Sequence, residues 1–409
     1  VASCNSGVCT GVADKDSDND GFVEKVCGGE DCDDSTNLVS PTRSEDLQSF
    51  HTVTPYTSGV CGPLMAGGYA RAMTVVNGEV YAVARGMPMT DLVFMYADVD
   101  GTASSEAVAP NNDSASGVAI AVTGTGETHI CYTANLAPND KRIMYAFRDA
   151  SWSSWTYDEV DNSNYQVNCD IKVDVWGGVH LAYDKQMFSG EDGQWYAYRD
   201  SGGYWSKSET YAANHFARLA LKPGTSEPHL CMVTGPATLH LWKTGGTWYQ
   251  EQVDAFGVGC AIAFDHSGST VFIAYHETGD GGKFRIASST GGSWNIRSAL
   301  GEIYPTLSVD DLGFFHMTSN RGTSLLYTTN REDQPGVVPP QDFRKDLFSI
   351  FYDWKAFYPS VVAENGLYLW ALGYEYSSCG GSTYNVRYTL QQWSWYDSVD
   401  SDCNGNDVP

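Results

Sequence analysis

The chain is short of positive charge. Its 409 residues include 24 Lys and Arg against 50 Asp and Glu, which gives a formal net charge of −26. Nucleic acid and anionic membrane surfaces would be repelled by such a chain, so neither is an expected partner. A run of about 18 apolar residues is also absent, which excludes a transmembrane helix. The acidic excess fits either cation binding or a solvated acidic surface.

Sustained helical periodicity and several catalytic motifs are missing as well. Only residues 343–351 show the apolar spacing of a short helix. The sequence has no HExxH, GxSxG or phosphate-cradling loop, so the common zinc peptidase, serine hydrolase and nucleotide sites are not expected. No signal peptide is visible, and we therefore expect Val1 to be a mature N-terminus left by cleavage.

The eleven cysteines lack any zinc-type CxxC pair. Cysteines in this number without metal-type spacing indicate disulfide bonds and an oxidising compartment. We therefore expect a secreted, extracellular or cell-surface protein of a bacterium. Because the number is odd, at least one cysteine is free or bonds to another chain.

What the sequence does contain is aromatic residues, glycine and a repeat. Aromatic residues make up 13% of the chain and glycine occurs 42 times, which suits many short strands joined by tight turns. A pair of alternating strands recurs, with an anchor residue near the start of its second strand. The seven anchors are Tyr81, His129, His180, His229, Val271, His316 and Tyr368. Their spacings of 48, 51, 49, 42, 45 and 52 residues predict an all-β fold, a seven-bladed β-propeller with four-stranded blades.

A tryptophan recurs in the outer hairpin of the repeat. The matching positions are Trp155, Trp205, Trp248, Trp294 and, 99 residues further, Trp393. We expect these side chains to pack between neighbouring blades. The alternative is a ring of aromatic platforms for sugars.

Cysteine positions follow the same repeat. Cys131 and Cys231 each lie two residues after a histidine anchor, and Cys169 and Cys260 each lie eleven residues before the next anchor. Equal offsets in neighbouring repeats predict the disulfides Cys131–Cys169 and Cys231–Cys260. The further disulfide candidates are Cys4, Cys9, Cys27, Cys32, Cys61 and Cys379.

Closure of the ring would bring its first and last blades together. A Cys61–Cys379 bond would tie them, and residues 51–56 could add an outer strand there. Residues 331–357, which contain three prolines, are expected to be an insertion between the sixth and seventh blades. The expected domains are an Asp/Cys-rich segment at 1–46, the propeller at 47–400 and the start of a tail at 401–409.

The N-terminal segment is dense in carboxylates. Residues 1–46 hold eleven acidic and three basic residues, a net charge of −8. Alternate Asp residues followed by Gly21 match the first half of an EF-hand-type loop, in which oxygen ligands converge on Ca²⁺. Cys27 stands where such a loop has its bidentate Glu, so a second Asp cluster would complete the shell. The expected ligands are Asp14, Asp16, Asp18, Asp20, Phe22 through its carbonyl, Asp31, Asp33 and Asp34. A disordered acidic linker is the alternative.

The run DxDxDGF, then Cys, DCDD and Pro41, resembles the metal-binding motif of bacterial surface proteins typified by the MopE family. It is also similar to thrombospondin type 3 calcium repeats. The likeness covers about 30 residues, and this chain has Ser-Pro-Thr at 40–42 where copies of the motif often end in Pro-Gly-Ala. The MopE name suggests copper, but the hard oxygen donors here favour calcium.

A second half-loop of this kind ends the chain. Asp400, Asp402 and Asn404 precede Gly405, so they form a possible second metal site. We expect this end to continue in a longer natural protein or to complete a site with another segment or subunit.

Enzymatic residues are sparse. Arg71 and Arg218 occupy matching first-strand positions, as in the arginine triad of sialidases, but nearby positions elsewhere hold Ile120, Ile171, Ile262, Leu307 and Val361. The four anchor histidines recur once per blade and should therefore lie apart, so we expect them to make structural hydrogen bonds. No catalytic residue and no cofactor other than Ca²⁺ is assigned.

These patterns favour a calcium-binding propeller that acts in binding, adhesion or extracellular self-assembly, with itself, a glycan or a surface protein as partner. The alternatives are a sialidase-like glycoside hydrolase or a glycan-binding lectin, and, third, a scavenger of redox metals. Assembly through the termini predicts that a chelator or a reducing agent dissociates larger species on a sizing column. Fold alone does not decide between these functions.

Overall fold

The computed structural model describes residues 3–5, 8–10, 48–57, 62–63, 71–330 with short gaps, 343–348, 360–364, 368–380 and 383–394, with side chains between 72 and 330. These residues form 31 strands, and none of them is helical. Within this part of the chain there is accordingly no helix long and apolar enough to cross a membrane.

The chain divides into two compact units. The first comprises Val1–Phe50 and Gln392–Pro409. In it, β1 (Ser3–Asn5) and β2 (Val8–Thr10) form an antiparallel hairpin in which Cys4 is the backbone partner of Cys9. The second unit, His51–Gln391, contains the repeats.

Six antiparallel sheets of four strands follow one another along the second unit, and in each the strands pair in sequence order. We number these sheets blades I to VI. Blade I has β5 (Arg71–Val76), β6 (Glu79–Arg85), β7 (Leu92–Ala97) and β8 (Ala103–Ala109), and blade II has β9 (Asp113–Val122), β10 (Thr128–Ala137), β11 (Asp140–Arg148) and β12 (Thr156–Ser163). Blade III has β13 (Cys169–Val173), β14 (Val179–Lys185), β15 (Gly193–Arg199) and β16 (Trp205–Tyr211), and blade IV has β17 (Ala217–Leu221), β18 (Pro228–Thr234), β19 (Ala237–Thr244) and β20 (Thr247–Asp254). Blade V has β21 (Val258–Phe264), β22 (Val271–His276), β23 (Phe284–Ser289) and β24 (Asn295–Ala299), and blade VI has β25 (Ile303–Val309), β26 (Phe315–Arg321), β27 (Ser324–Thr329) and β28 (Phe343–Phe348).

A further sheet combines the two ends of the repeat region. Its order is β29 (Ser360–Glu364), β30 (Tyr368–Gly380), β31 (Thr383–Ser394) and β3 (Gln48–Thr57), and β4 (Gly62–Pro63) also pairs with β31. The outer strand expected from residues 51–56 is therefore present as part of β3.

The blades are arranged around their first strands. The first strand of each blade lies beside that of the next, from β5 through β9, β13, β17 and β21 to β25. Such an arrangement of four-stranded meanders is a β-propeller. Six of its blades lie within the described part of the chain.

The hydrophobic core lies between the blades. All seven residues of β14 are buried, while the outer strand β16 of the same blade has no buried residue. Inner strands are covered on both faces by neighbouring blades, and outer strands meet solvent, so only the inner strands read as continuous apolar runs. One cluster joins Ile143 and Tyr145 of blade II to Ile171 and Leu181 of blade III.

The repeated tryptophans pack across the blade boundaries, as expected. Each stacks edge to face on a third-strand ring of the preceding blade. The four pairs are Trp155 with Phe94 (5.6 Å between ring centroids), Trp205 with Tyr145 (5.3 Å), Trp248 with Tyr196 (5.3 Å) and Trp294 with His240 (5.5 Å). These four rings are therefore packing residues and not a ring of sugar platforms. The side chain of Trp393 lies outside the described residues.

Two disulfides join neighbouring blades. Cys131 of β10 is bonded to Cys169 of β13, and Cys231 of β18 is bonded to Cys260 of β21. Both bonds were predicted from equal offsets in the repeat. All four of these cysteines are buried.

The segment after blade VI differs from the prediction. The short helix expected at 343–351 is absent, because Phe343–Phe348 is strand β28. It pairs antiparallel with β27, Leu326 opposite Asp346, and completes blade VI as its outer strand. Part of the insertion expected at 331–357 thus belongs to the blade. Pairing with an exposed strand edge outweighed the local apolar spacing.

Candidate functional site

The anchor histidines lie at the start of the second strand in four different blades. In three of them, the ring nitrogen Nδ1 meets a polar group on the third strand of the same blade. The pairs are His129 with the Tyr145 hydroxyl (2.8 Å), His180 with the Tyr196 hydroxyl (2.7 Å) and His229 with His240 Nε2 (2.9 Å). The expected structural hydrogen bonds are confirmed for these three histidines, each within its own blade.

A buried aspartate holds the other ring nitrogen in two blades. Asp174 Oδ2 lies 3.1 Å from His180 Nε2, and Asp310 Oδ2 lies 3.0 Å from His316 Nε2. Each aspartate is six residues before its histidine and also accepts backbone N–H groups in the turn between the first two strands. In blade II this position is Thr123, and His129 Nε2 has no hydrogen-bond partner among the described residues.

Burial keeps His129, His180 and His229 neutral. It lowers the pKa of His129 to about 4, with a smaller effect from the positive charge of Arg199. It lowers the pKa of His229 to about 3, assisted by the neighbouring His240 and by Lys222. Burial also lowers the pKa of His180 despite the opposing effect of Asp174. Rings that stay neutral and buried support packing rather than proton transfer to a ligand.

A cavity of about 510 Å³ lies near the ends of the first strands in blades I to III. Three of its lining residues hold equivalent positions, because Thr74, Ala121 and Lys172 pair with the anchors Tyr81, His129 and His180. Residues of the turns after β9 and β13 complete the wall. The small side chains of Thr74 and Ala121 leave space beside the long side chain of Lys172.

Three charged residues line this cavity: Glu127, Lys172 and Asp174. Asp174 is buried and accepts hydrogen bonds from His180 and from the N–H groups of Trp176 and Gly178. Glu127 Oε2 lies 3.4 Å from the hydroxyl of Thr123 and 3.3 Å from that of Thr125.

Lys172 is different from the two carboxylates. Its side chain is half-buried, and it makes no hydrogen bond or ion pair with any other residue that the structure describes. The cavity therefore contains one ammonium group that forms no ion pair within the described part of the chain.

An exposed tryptophan lies in a turn that borders the cavity. Trp176 is 66% exposed and stands between Val175 and Gly177, both of which line the cavity. The turn is fixed locally: Asp174 Oδ1 lies 2.9 Å from the Trp176 N–H, and Gly177 has a φ of 82°. At Gly178 a Cβ would come within 2.6 Å of the Tyr198 hydroxyl, so the sequence needs glycine there.

Lys172 and Trp176 were not singled out from the sequence. The signal was present in the repeat, because the positions equivalent to Lys172 hold Thr74, Ala121 and Ala220. A lysine among small residues on inner strands stands out only after the register of the strands is known.

The two arginines compared with a sialidase triad are out of register. Arg71 pairs with Ala84, three residues after its anchor, whereas Arg218 pairs with Cys231, two residues after its anchor. Relative to their anchors, the two arginines are one residue apart in the strand register. The prediction of matching positions was therefore wrong, because the two-residue Asn77-Gly78 turn of blade I shifts the count. Of the nearby aliphatic residues, Ile120, Ile171 and Ile262 are buried.

The predicted metal ligands lie outside the described residues. This applies to the first set, Asp14, Asp16, Asp18, Asp20, Phe22, Asp31, Asp33 and Asp34, and to Asp400, Asp402 and Asn404 of the second. Cys27, Cys32, Cys61 and Cys403 also fall there, and for Cys4, Cys9 and Cys379 the backbone alone is described. Within the described part of the chain, no group of three or more His, Cys, Asp or Glu could hold a metal ion.

No protein family model and no curated protein matches the chain. Solved structures with the same fold do match. The polysaccharide lyase Uly1 is 9% identical with a TM-score of 0.57, covering 85% of this chain and 100% of its own.

Two other lyases are similarly distant. An ulvan lyase bound to the disaccharide repeat GlcA(1-4)Rha3S is 12% identical with a TM-score of 0.51, covering 79% of this chain and 93% of its own. Virginiamycin B lyase from Staphylococcus aureus is 12% identical with a TM-score of 0.52, covering 84% and 98%. At these identities the likeness establishes the shared propeller fold.

Proposed function

We propose that the chain is a secreted or cell-surface β-propeller that binds a glycan at the cavity of blades I to III. The observation that carries this proposal is a cavity lined by three charged residues beside a turn that carries an exposed tryptophan. Sugars are bound by hydroxyl, carboxylate and ammonium groups that meet their hydroxyls and by aromatic rings that pack on their apolar faces. Thr74, Glu127 and Lys172 supply the first kind of group, and Trp176 supplies the second.

We favour binding over catalysis. Asp174, the buried carboxylate of the cavity, is already engaged by three hydrogen-bond donors and so has little capacity left for proton transfer. The arginines compared with those of a sialidase-like site do not hold equivalent positions in the strand register. Two propeller neighbours are polysaccharide lyases by name, which keeps a glycan-degrading enzyme as the alternative.

Glycan binding at this site predicts a specific effect of Trp176. We expect Trp176→Ala to weaken glycan binding about fivefold to thirtyfold, since an aromatic contact contributes about 1–2 kcal/mol. Isothermal titration of the full chain with a panel of neutral and acidic oligosaccharides would measure it. Tyr204→Ala, which removes another exposed aromatic ring of blade III, should leave the affinity unchanged.

Two results would contradict the proposal. If no oligosaccharide of the panel binds, the chain is not a glycan-binding module. If the oligosaccharides bind but are shortened during incubation, as judged by chain length, the enzymatic alternative replaces simple binding.

We also propose that seven blades close the ring. β29 lies beside both β25 of blade VI and β5 of blade I, which is the position of a seventh blade. The last sheet takes β3 and β4 from before the first blade, so chain segments from both ends of the repeat would hold the ring shut. β4 begins one residue after Cys61, and Cys379 lies in β30, which supports the proposed bond between them.

The N-terminal segment is proposed to bind calcium. Its alternate carboxylates have the hard oxygen donors that Ca²⁺ prefers, and the two inter-blade disulfides fit an oxidising, calcium-rich exterior. The two disulfides also support secretion.

If this segment binds calcium, its affinity for Ca²⁺ should fall when the alternate carboxylates are removed. Replacing Asp16, Asp18 and Asp20 by Asn is expected to weaken Ca²⁺ binding at least a hundredfold, because three charged ligands are lost together. Titration of the chelator-treated protein with Ca²⁺ measures this, and Asp140→Asn in the propeller is the matched control. Tighter binding of copper than of calcium, or no calcium binding, would contradict the assignment.

A further inference from the structure

Lys172 is unusual among the lysines of the propeller. The other lysines whose side chains are described each contact a partner: Lys141 the carbonyl of Ala137, Lys185 and Lys207 the carboxylate of Asp161, Lys222 the carboxylate of Glu227, and Lys243 the ring of Tyr196. Lys172 has no such contact among the described residues and lines the cavity instead. In a chain with a net charge of −26, an unpaired, half-buried ammonium group calls for a counter-ion.

We propose that this counter-ion is the carboxylate or sulfate group of an acidic sugar, bound by Lys172. The inference rests on the proposed glycan-binding function and names the class of glycan.

The position of Lys172 suits an anionic ligand. Thr74 and Ala121, which occupy the equivalent positions of the two preceding blades, are too short to reach its ammonium group and leave room for a ligand. Charges attract more strongly in a half-buried site than at an exposed surface, because less water screens them. The cavity volume of about 510 Å³ is large enough for one or two sugar rings.

The other charged groups of the cavity fix the orientation of the sugar. Glu127 would repel an anion on its side and accept hydrogen bonds from sugar hydroxyls. Asp174 is held by His180 and two backbone N–H groups and is thereby compensated. The anionic group would therefore lie on the Lys172 side and the hydroxyls on the Glu127 side.

The test compares matched ligands. The full chain is titrated with oligogalacturonate and with its methyl ester, which has the same sugar rings without charge. A sulfated oligosaccharide and its desulfated form make the second pair and distinguish sulfate from carboxylate as the preferred group. We expect at least one charged ligand to bind ten times or more tightly than its uncharged partner, and its affinity to fall with added salt.

Substitutions test whether Lys172 is the residue that causes the preference for the charged ligand. Lys172→Met should weaken binding of the charged ligand at least tenfold and leave the uncharged one unchanged, while Lys172→Arg should retain affinity. Glu127→Gln should strengthen binding of the charged ligand. The matched control is Lys222→Met, which removes the same charge from the turn after the first strand of blade IV, where Lys222 pairs with Glu227. Unchanged thermal unfolding of each variant would show that folding is intact.

The outcomes separate the inference from the function on which it rests. Equal binding of charged and uncharged ligands, or full affinity in Lys172→Met, overturns the inference and leaves glycan binding standing. Absence of binding to every ligand overturns both. Preference for the charged ligand that is lost in Lys172→Met and kept in Lys222→Met supports both.

Discussion

Replacing Cys131 and Cys169 by alanine is expected to lower the free energy of unfolding by about 3–4 kcal/mol. The bond closes a loop with a sequence separation of 38 residues, and its loss frees the unfolded chain to sample more conformations. The bond also fixes the second strand of blade II to the first strand of blade III, so the loss should reach the interface that these blades share. Denaturant unfolding under oxidising conditions is the measurement.

The second disulfide provides the matched comparison. Cys231–Cys260 joins blades IV and V at the same offsets and has a sequence separation of 29 residues, so its removal should cost nearly as much. Since both bonds are buried, alanine also removes packed sulfur. Adding a reducing agent to the unmodified protein breaks both bonds, together with any other disulfide of the chain, without that loss of packed sulfur. An unfolding curve that neither the substitution nor the reductant shifts would contradict the account.

Acid is expected to destabilise the propeller through its buried histidines. His129 titrates near pH 4 and His229 near pH 3 in the folded protein, against about 6.5 for an unfolded chain. Below pH 6.5 both histidines become protonated in the unfolded state while they stay neutral in the folded state. The free energy of unfolding is therefore unaffected by these two histidines above pH 6.5, and it decreases as the pH falls toward 4 for His129 and toward 3 for His229. By pH 4 each histidine lowers the free energy of unfolding by on the order of 3 kcal/mol.

One carboxyl group opposes this trend. Burial raises the pKa of Asp184 to about 6, against an ordinary value of 3.8. Its protonation therefore restores on the order of 3 kcal/mol as the pH falls from 6 toward 4, which offsets one of the two histidines. A net loss of stability remains.

The free energy of unfolding measured from pH 7 to pH 4 tests this balance. We expect His129→Gln, which cannot titrate, to flatten the curve. Stability that is constant over this range, or an equal slope in His129→Gln, would show that the histidines are not held neutral by burial.

Much of the fold could be predicted because equivalent residues recur at similar sequence intervals in successive blades. Equal offsets of Cys131 and Cys231 from their anchors mean equal positions in successive blades, and the disulfides follow from that equivalence. The same argument placed Trp155 and Trp205 at the blade interfaces. It failed for residues 343–348, where the fourth strand of blade VI has the apolar spacing of a helix and is defined by its pairing with β27.

The candidate site was harder to predict because a cavity depends on side chains from three blades. Lys172 becomes notable only beside Thr74 and Ala121, and that comparison requires the strand register. The same dependence on register made Arg71 and Arg218 look equivalent in sequence when they are one position apart. Short-range patterns identify blades, but the neighbours of a side chain across blades follow from the exact pairing of strands.

The most direct test of the central claim is a crystal structure of the full chain with the tightest-binding acidic oligosaccharide. The account predicts the sugar in the cavity of blades I to III, with its anionic group about 2.7–3.2 Å from Lys172 Nζ and a ring packed on Trp176. A ligand bound at any other place, with this cavity filled by solvent, would contradict it.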